Sequence, residues 1–78
     1  MKIETRWNKK ASSILLGKTI TLVRYMNGHE QEDMGWYNKA VVMHLNDGTV
    51  LFPTQDDEGN GPGALYTTDG PLPIIPVI

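Results

Sequence analysis

The chain has 78 residues, a net charge of −2 and no cysteine. That length makes one domain, which buries only about 60% of its unfolded surface, and without thiols neither a disulfide nor a thiolate metal site can brace it. The longest apolar runs are a few residues, far short of the roughly 20 that a membrane helix needs, and no apolar stretch of signal-peptide length follows the basic N-terminus.

The charge is unevenly placed. Residues 1–24 carry six bases (Lys2, Arg6, Lys9, Lys10, Lys18, Arg24) against Glu4, a net of +5; residues 25–78 carry Lys39 against eight acids, a net of −7. The basic segment suits an acidic surface or a nucleic acid, or pairs loosely with the acidic remainder of its own domain. An isoelectric point of 5.5 argues against nucleic acid, because such binders are usually basic domains with a pI above about 9.

Residues 8–16 are expected to form a short helix, with Asn8 as N-cap and Gly17 as stop. Ser12 and Ser13 compete for backbone bonds and weaken it, and residues 1–6 are expected to be frayed or extended. Residues 18–26 are rich in β-branched and aromatic types and read as a strand. Apolar side chains on both of its faces suggest cover on both sides, at least near its end. Asn27 with Glu30 forms a capping box that opens one or two helical turns, stopped by Gly35. Trp36 and Tyr37 then begin the next strand. Neighbours in a strand point to opposite faces, so one of the pair is a candidate exposed contact, with core or rim packing the expectation for both.

Residues 38–45 and 49–53 flank Asn46-Asp47-Gly48 and read as a hairpin. Asp-Gly suits a two-residue type I′ turn. That register pairs Leu45 with Val50 and Met43 with Phe52. It puts Val41, Met43, Leu45, Val50 and Phe52 on the core face, with Val42, His44 and Leu51 opposite. Residues 54–63 form a loop rich in acids and glycine. Residues 64–68 make a short strand, and Asp69-Gly70 turns the chain. The tail, residues 71–78, is expected to lie back on the domain as an edge strand or cover, its prolines blunting that edge. The other role open to it is docking on a partner or a second copy. Pro73 and Pro76 have polyproline spacing, but no arginine flanks them. The fold class is therefore mainly β: a small antiparallel sheet or an SH3-like partial barrel of four or five strands, with a short N-terminal helix and one helical turn. One domain spans residues 1–78, divided into a basic segment (1–16) and a β core (17–78).

Few groupings carry chemistry. Asp56, Asp57, Glu58 and Asn60 are oxygen donors suited to a hard cation. On an EF-hand template, Asp56, Glu58, Asn60 and Gly61 fall at positions one, three, five and six, but Thr67 stands where a bidentate glutamate belongs. Neither a P-loop nor a dinucleotide pattern accompanies the loop glycines. His29 and His44 match no helical metal pair, and Ser12 and Ser13 lack a nucleophile-elbow context. Adjacent loop carboxylates rarely have the raised pKa of a general acid.

The expectation is a non-catalytic interaction or accessory domain with no cofactor and no metal. It would act as a monomer or weak homodimer with a protein partner, off the membrane. Its candidate binding surface is Asp56, Asp57, Glu58 and Asn60 with Trp36 or Tyr37. The alternatives are a divalent-cation or small-ligand binder using loop 54–63, and, more remotely, a small hydrolase or lyase.

Several segments together resemble a family of small bacterial proteins of unknown function. They are Gly35-Trp36-Tyr37, Asp47-Gly48-Thr49, Pro53 through Asp56-Asp57-Glu58-Gly59-Asn60, Gly63-Ala64-Leu65 and Leu72-Pro73-Ile74-Ile75-Pro76-Val77. The resemblance covers residues 17–78 and leaves the basic segment outside. It implies a bacterial, cytoplasmic origin and transfers no activity, cofactor or site residue.

Overall fold

The N-terminal helix is longer than capping rules suggest. In the computed structural model, which describes residues 2–78, α1 runs from Lys2 to Leu15. Asn8 lies inside the helix and is not its cap, and residues 2–6 are helical, not extended. Lys2, Glu4 and Arg6 are good helix formers, and Glu4 sits in the first turn, where the helix dipole favours an acid. Gly17, with φ of 76°, ends the helix in the left-handed conformation.

Strand β1 (Ile20–Tyr25) is pinned at its start to the hairpin turn. Thr19 and Asn46 exchange hydrogen bonds of 2.9 and 3.2 Å, and Lys18 pairs with Asp47 at 3.1 Å. Only the far end of β1 is covered: Ile20, Leu22 and Val23 are half or more exposed, whereas Met26 is buried. The cover expected on both faces is therefore confined to that end.

Helix α2 (Gly28–Met34) forms as its local signals dictate. Asn27 accepts from the Glu30 amide, and the Glu30 carboxylate accepts from the Asn27 amide. Gly35 adopts φ of 71°, and the Trp36 amide donates to the Gln31 carbonyl at 3.1 Å. This is a Schellman closure, which usually seats an apolar residue just past the glycine. Trp36 fills that role and is buried. Its amide is committed to α2, so the strand cannot begin at Trp36-Tyr37 and begins at Val41 instead.

Strands β2 (Val41–Leu45) and β3 (Val50–Leu51) form the hairpin, one residue out of the expected register. His44 pairs with Val50 and Met43 with Leu51. Only Gly48 takes a positive φ, 92°, and Asp47 does not. Instead, the Asp47 carboxylate accepts from the Thr49 amide at 3.0 Å. One left-handed residue makes the three-residue turn with a bulge, not type I′. The one-residue slip puts Val42 on the same side as Val50, while Val41 and Leu45, expected in the core, are buried as well, so β2 is covered on both faces.

The three-stranded antiparallel sheet has the order β1-β2-β3, and a second, two-stranded sheet pairs β4 (Leu65–Tyr66) with β5 (Ile74–Ile75). The antiparallel strands form two small open sheets that do not close into a barrel. The tail packs on its own chain. β5 pairs with β4, Ile78 and Lys39 exchange backbone bonds of 2.6 and 2.9 Å, and the Tyr25 hydroxyl donates to the Pro76 carbonyl at 2.7 Å. Among the described residues the core is small: Met26, Trp36, Ala40 and Val42 pack as one cluster, and Val41 and Leu45 are also buried.

Candidate functional site

The loop 54–63 is folded by its own side chains. Thr54 and Pro62 form an isolated bridge. The Gln55 amide donates to the Gly61 carbonyl at 2.9 Å and the Gly63 amide to the Pro53 carbonyl at 3.0 Å, closing the base. Asp56 organises the tip. It accepts from the Glu58 amide (3.0 Å), the Asn60 amide (3.1 Å) and the Asn60 side chain (2.8 Å). These donors favour the charged form, so the Asp56 carboxyl is held below its ordinary range, chiefly by Asn60. Gly59 takes φ of 71°, which suits glycine at the tip.

Trp36 connects this loop to the core. Its indole Nε1 donates to the Gly59 carbonyl at 2.9 Å. Its ring meets Phe52 edge-on, with centroids 6.1 Å apart at 71°, a favoured aromatic geometry.

The six residues singled out from sequence thus divide. Trp36 stands against the loop, but only 7% of it is exposed, so it is a support and not a contact surface. Tyr37 is 98% exposed and is not packed in core or rim. Asp56 is spent on the loop's own donors. Asp57, Glu58 and Asn60 face solvent. Among the described residues, no three His, Asp or Glu side chains are grouped to hold a metal ion.

Sequence reasoning missed a groove beside the loop. Met26, Met34, Val42, Val50 and Phe52 floor an open cavity of about 200 Å³, with Glu30 and Asp33 of α2 on its rim. Val50, Phe52 and Met34 remain 37–45% exposed within it. The register slip places Val42 and Val50 there. Met34 borders both features, since its Cε lies 3.9 Å from where a Cβ on Gly59 would stand.

Arg24 grips Glu30 through two bonds of 2.7 and 2.8 Å. That pairing, helped by the Asn27 amide, takes the Glu30 carboxyl down from 4.5 to about 2. Arg24 also donates to the His44 ring at 3.3 Å. His44 is therefore a half-buried partner on the Val42 side and not a histidine on the face away from the core. Asp47, held by Thr49 and then Lys18, is likewise lowered to about 2.

The other missed feature is α1. None of its side chains is buried. Ile3, Trp7 and Ile14 are 53–60% exposed and, at i, i+4 and i+11, share one helical face. Lys10 sits over the Trp7 ring, 5.0 Å from its centroid. Among the described residues, the ion pairs are Lys18–Asp47, Arg24–Glu30 and His29–Asp33. The α1 bases are outside all three, so the pairing expected between the basic segment and the acidic remainder is confined to Lys18 and Arg24. The 3.6-residue spacing of Ile3, Trp7 and Ile14 was the available signal, obscured by placing the helix start at Asn8.

No helix among the described residues is long and apolar enough to cross a membrane. No family model, curated protein or solved structure matches the chain.

Proposed function

We propose that this chain is a non-catalytic protein-interaction domain, acting by presenting uncovered apolar side chains to a protein partner. The observation that carries this reading is α1, a 14-residue helix with an apolar stripe and no buried side chain. An isolated helix of that length is marginal in water and ordinarily draws its stability from packing. The surface area supports it. The chain exposes 5989 Å², whereas a monomer of 8.7 kDa is expected to expose about 4,700 Å². The excess exceeds the roughly 800 Å² that each partner contributes to a standard interface.

Catalysis has weaker support. A general acid needs a raised carboxyl pKa, and the three carboxyls that depart clearly from their ordinary values all move down. Tyr37, Asp57, Glu58 and Asn60 form an accessory contact surface in this reading. The setting we propose is the bacterial cytoplasm, on the family resemblance alone.

In-cell photo-crosslinking tests the proposal, with benzoylphenylalanine placed singly at Trp7, Ile14 and Tyr37. Discrete protein adducts from positions 7 and 14 are expected. Light-independent, adduct-free behaviour at all three positions would remove the reading.

A further inference from the structure

We infer that the partner is a second copy of the same chain, with α1 of each protomer lying in the other's groove between α2 and the β2–β3 hairpin. This deepens the interaction reading and rests on it.

The two surfaces are complementary in shape class and in charge. The groove offers an apolar floor (Met34, Val42, Val50, Phe52). The helix offers Ile3, Trp7 and Ile14 on one stripe, the spacing by which amphipathic helices anchor in grooves. Eleven residues of helix place those anchors along about 16 Å. Lys2, Arg6, Lys9 and Lys10 against Glu4 give α1 a net of +3. The groove is rimmed by Glu30 and Asp33, and α2 adds Glu32, so that helix carries a net of −3 with its histidine neutral. Arg24 answers one of these, Glu30, and His29 stands 3.5 Å from Asp33 on the exposed face. An excess of negative charge remains for the basic flank of a helix.

Within one chain the two surfaces do not meet. The groove is open and every described α1 residue is exposed. The short connection after α1 is fixed, because Gly17 turns the chain and Lys18 and Thr19 are tied to the hairpin turn. Exchange between two copies satisfies both surfaces twice about one two-fold axis, the commonest symmetry of small oligomers. The excess exposed area is what such an interface consumes.

Sedimentation velocity from micromolar to sub-millimolar concentration tests this on four proteins. Wild type is expected to pass from monomer to dimer. Trp7→Ala is expected to weaken the dimer roughly thirtyfold or more, the scale of a central tryptophan anchor, with the circular dichroism of the β core unchanged because Trp7 is exposed. Lys9→Glu/Lys10→Glu and Glu32→Lys/Asp33→Lys are each expected to be monomeric alone and to form a heterodimer when mixed. Glu30 is left intact because it caps α2. A monomeric wild type overturns the inference, whether its α1 crosslinks to a different protein, which leaves the interaction reading standing, or binds phosphatidylserine vesicles. A dimer that all three variants retain overturns it too and points to edge pairing through β1.

Discussion

Replacing Trp36 with phenylalanine should loosen the acidic loop as well as lower stability, because one side chain serves both the core and the loop. The substitution keeps an aromatic ring beside Phe52 but deletes the indole N–H that meets the Gly59 carbonyl at 2.9 Å. A lost hydrogen bond that leaves an acceptor behind costs about 1–3 kcal/mol, and the low end applies because Gly59 is half-buried and water can reach it. The smaller ring leaves space beside Met26, Ala40 and Val42 in its cluster, adding about 1 kcal/mol. The sum is about 2 kcal/mol, a large share of the roughly 4–12 kcal/mol expected for a chain this long. For a domain of this size that lowers Tm by roughly 8–16 °C. Thermal denaturation reads the shift, and amide hydrogen exchange reads the loop. The Gln55 and Gly63 amides should exchange faster in Trp36→Phe. They should stay protected in Phe52→Leu, which keeps the indole bond. A loss below about 0.5 kcal/mol, the range of ordinary surface changes, with unchanged loop exchange, would refute the role given to Trp36.

Gly63→Ala should destabilise by about 1–3 kcal/mol, since its Cβ would stand 2.9 Å from the Thr54 carbonyl oxygen. Gly70→Ala meets nothing within 4 Å, and its urea midpoint should match wild type. The depressed carboxyls make stability depend on acid. Glu30 titrates at about 2 when folded instead of 4.5, so its contribution is fully present above pH 4.5 and is lost as pH falls toward 2. Urea midpoints of Glu30→Gln should therefore be lower than wild type at neutral pH and converge with it toward pH 2; parallel profiles would exclude the Arg24 pairing as the cause.

Legibility in the sequence followed how local each determinant was. Helix α2 was readable because the Asn27–Glu30 box and Gly35 lie within nine residues and need no distant partner. The tail's return along its own chain was readable because an exposed apolar end needs cover. The hairpin's position was readable but its register was not. Asp47-Gly48 is compatible with two turns, and the Asp47–Thr49 bond selects the one in which aspartate avoids positive φ. That single choice moved Val42 and Val50 onto the side of the groove, so the groove could not be seen from sequence. For the candidate site, the acidic loop was legible as a turn-rich segment. Its attachment to Trp36 depends on a contact between residues 23 apart, whereas its closure through Asp56 is local, within four residues, and was missed because the carboxylates were read only as possible cation ligands. The extent of α1 was missed because Asn8 resembles a cap, although helix-forming residues precede it.

The account rests most directly on where the α1 side chains lie in solution. An isotope-filtered NOE spectrum of a mixture of ¹³C-labelled and unlabelled chains tests this, since it reports only contacts between copies. Cross-peaks are predicted from Trp7 and Ile14 of one chain to the Val50 methyls and the Phe52 ring of another, disappearing in Lys9→Glu/Lys10→Glu. A filtered spectrum empty of α1 contacts, at a concentration where wild type sediments as a dimer, would contradict the placement of that helix.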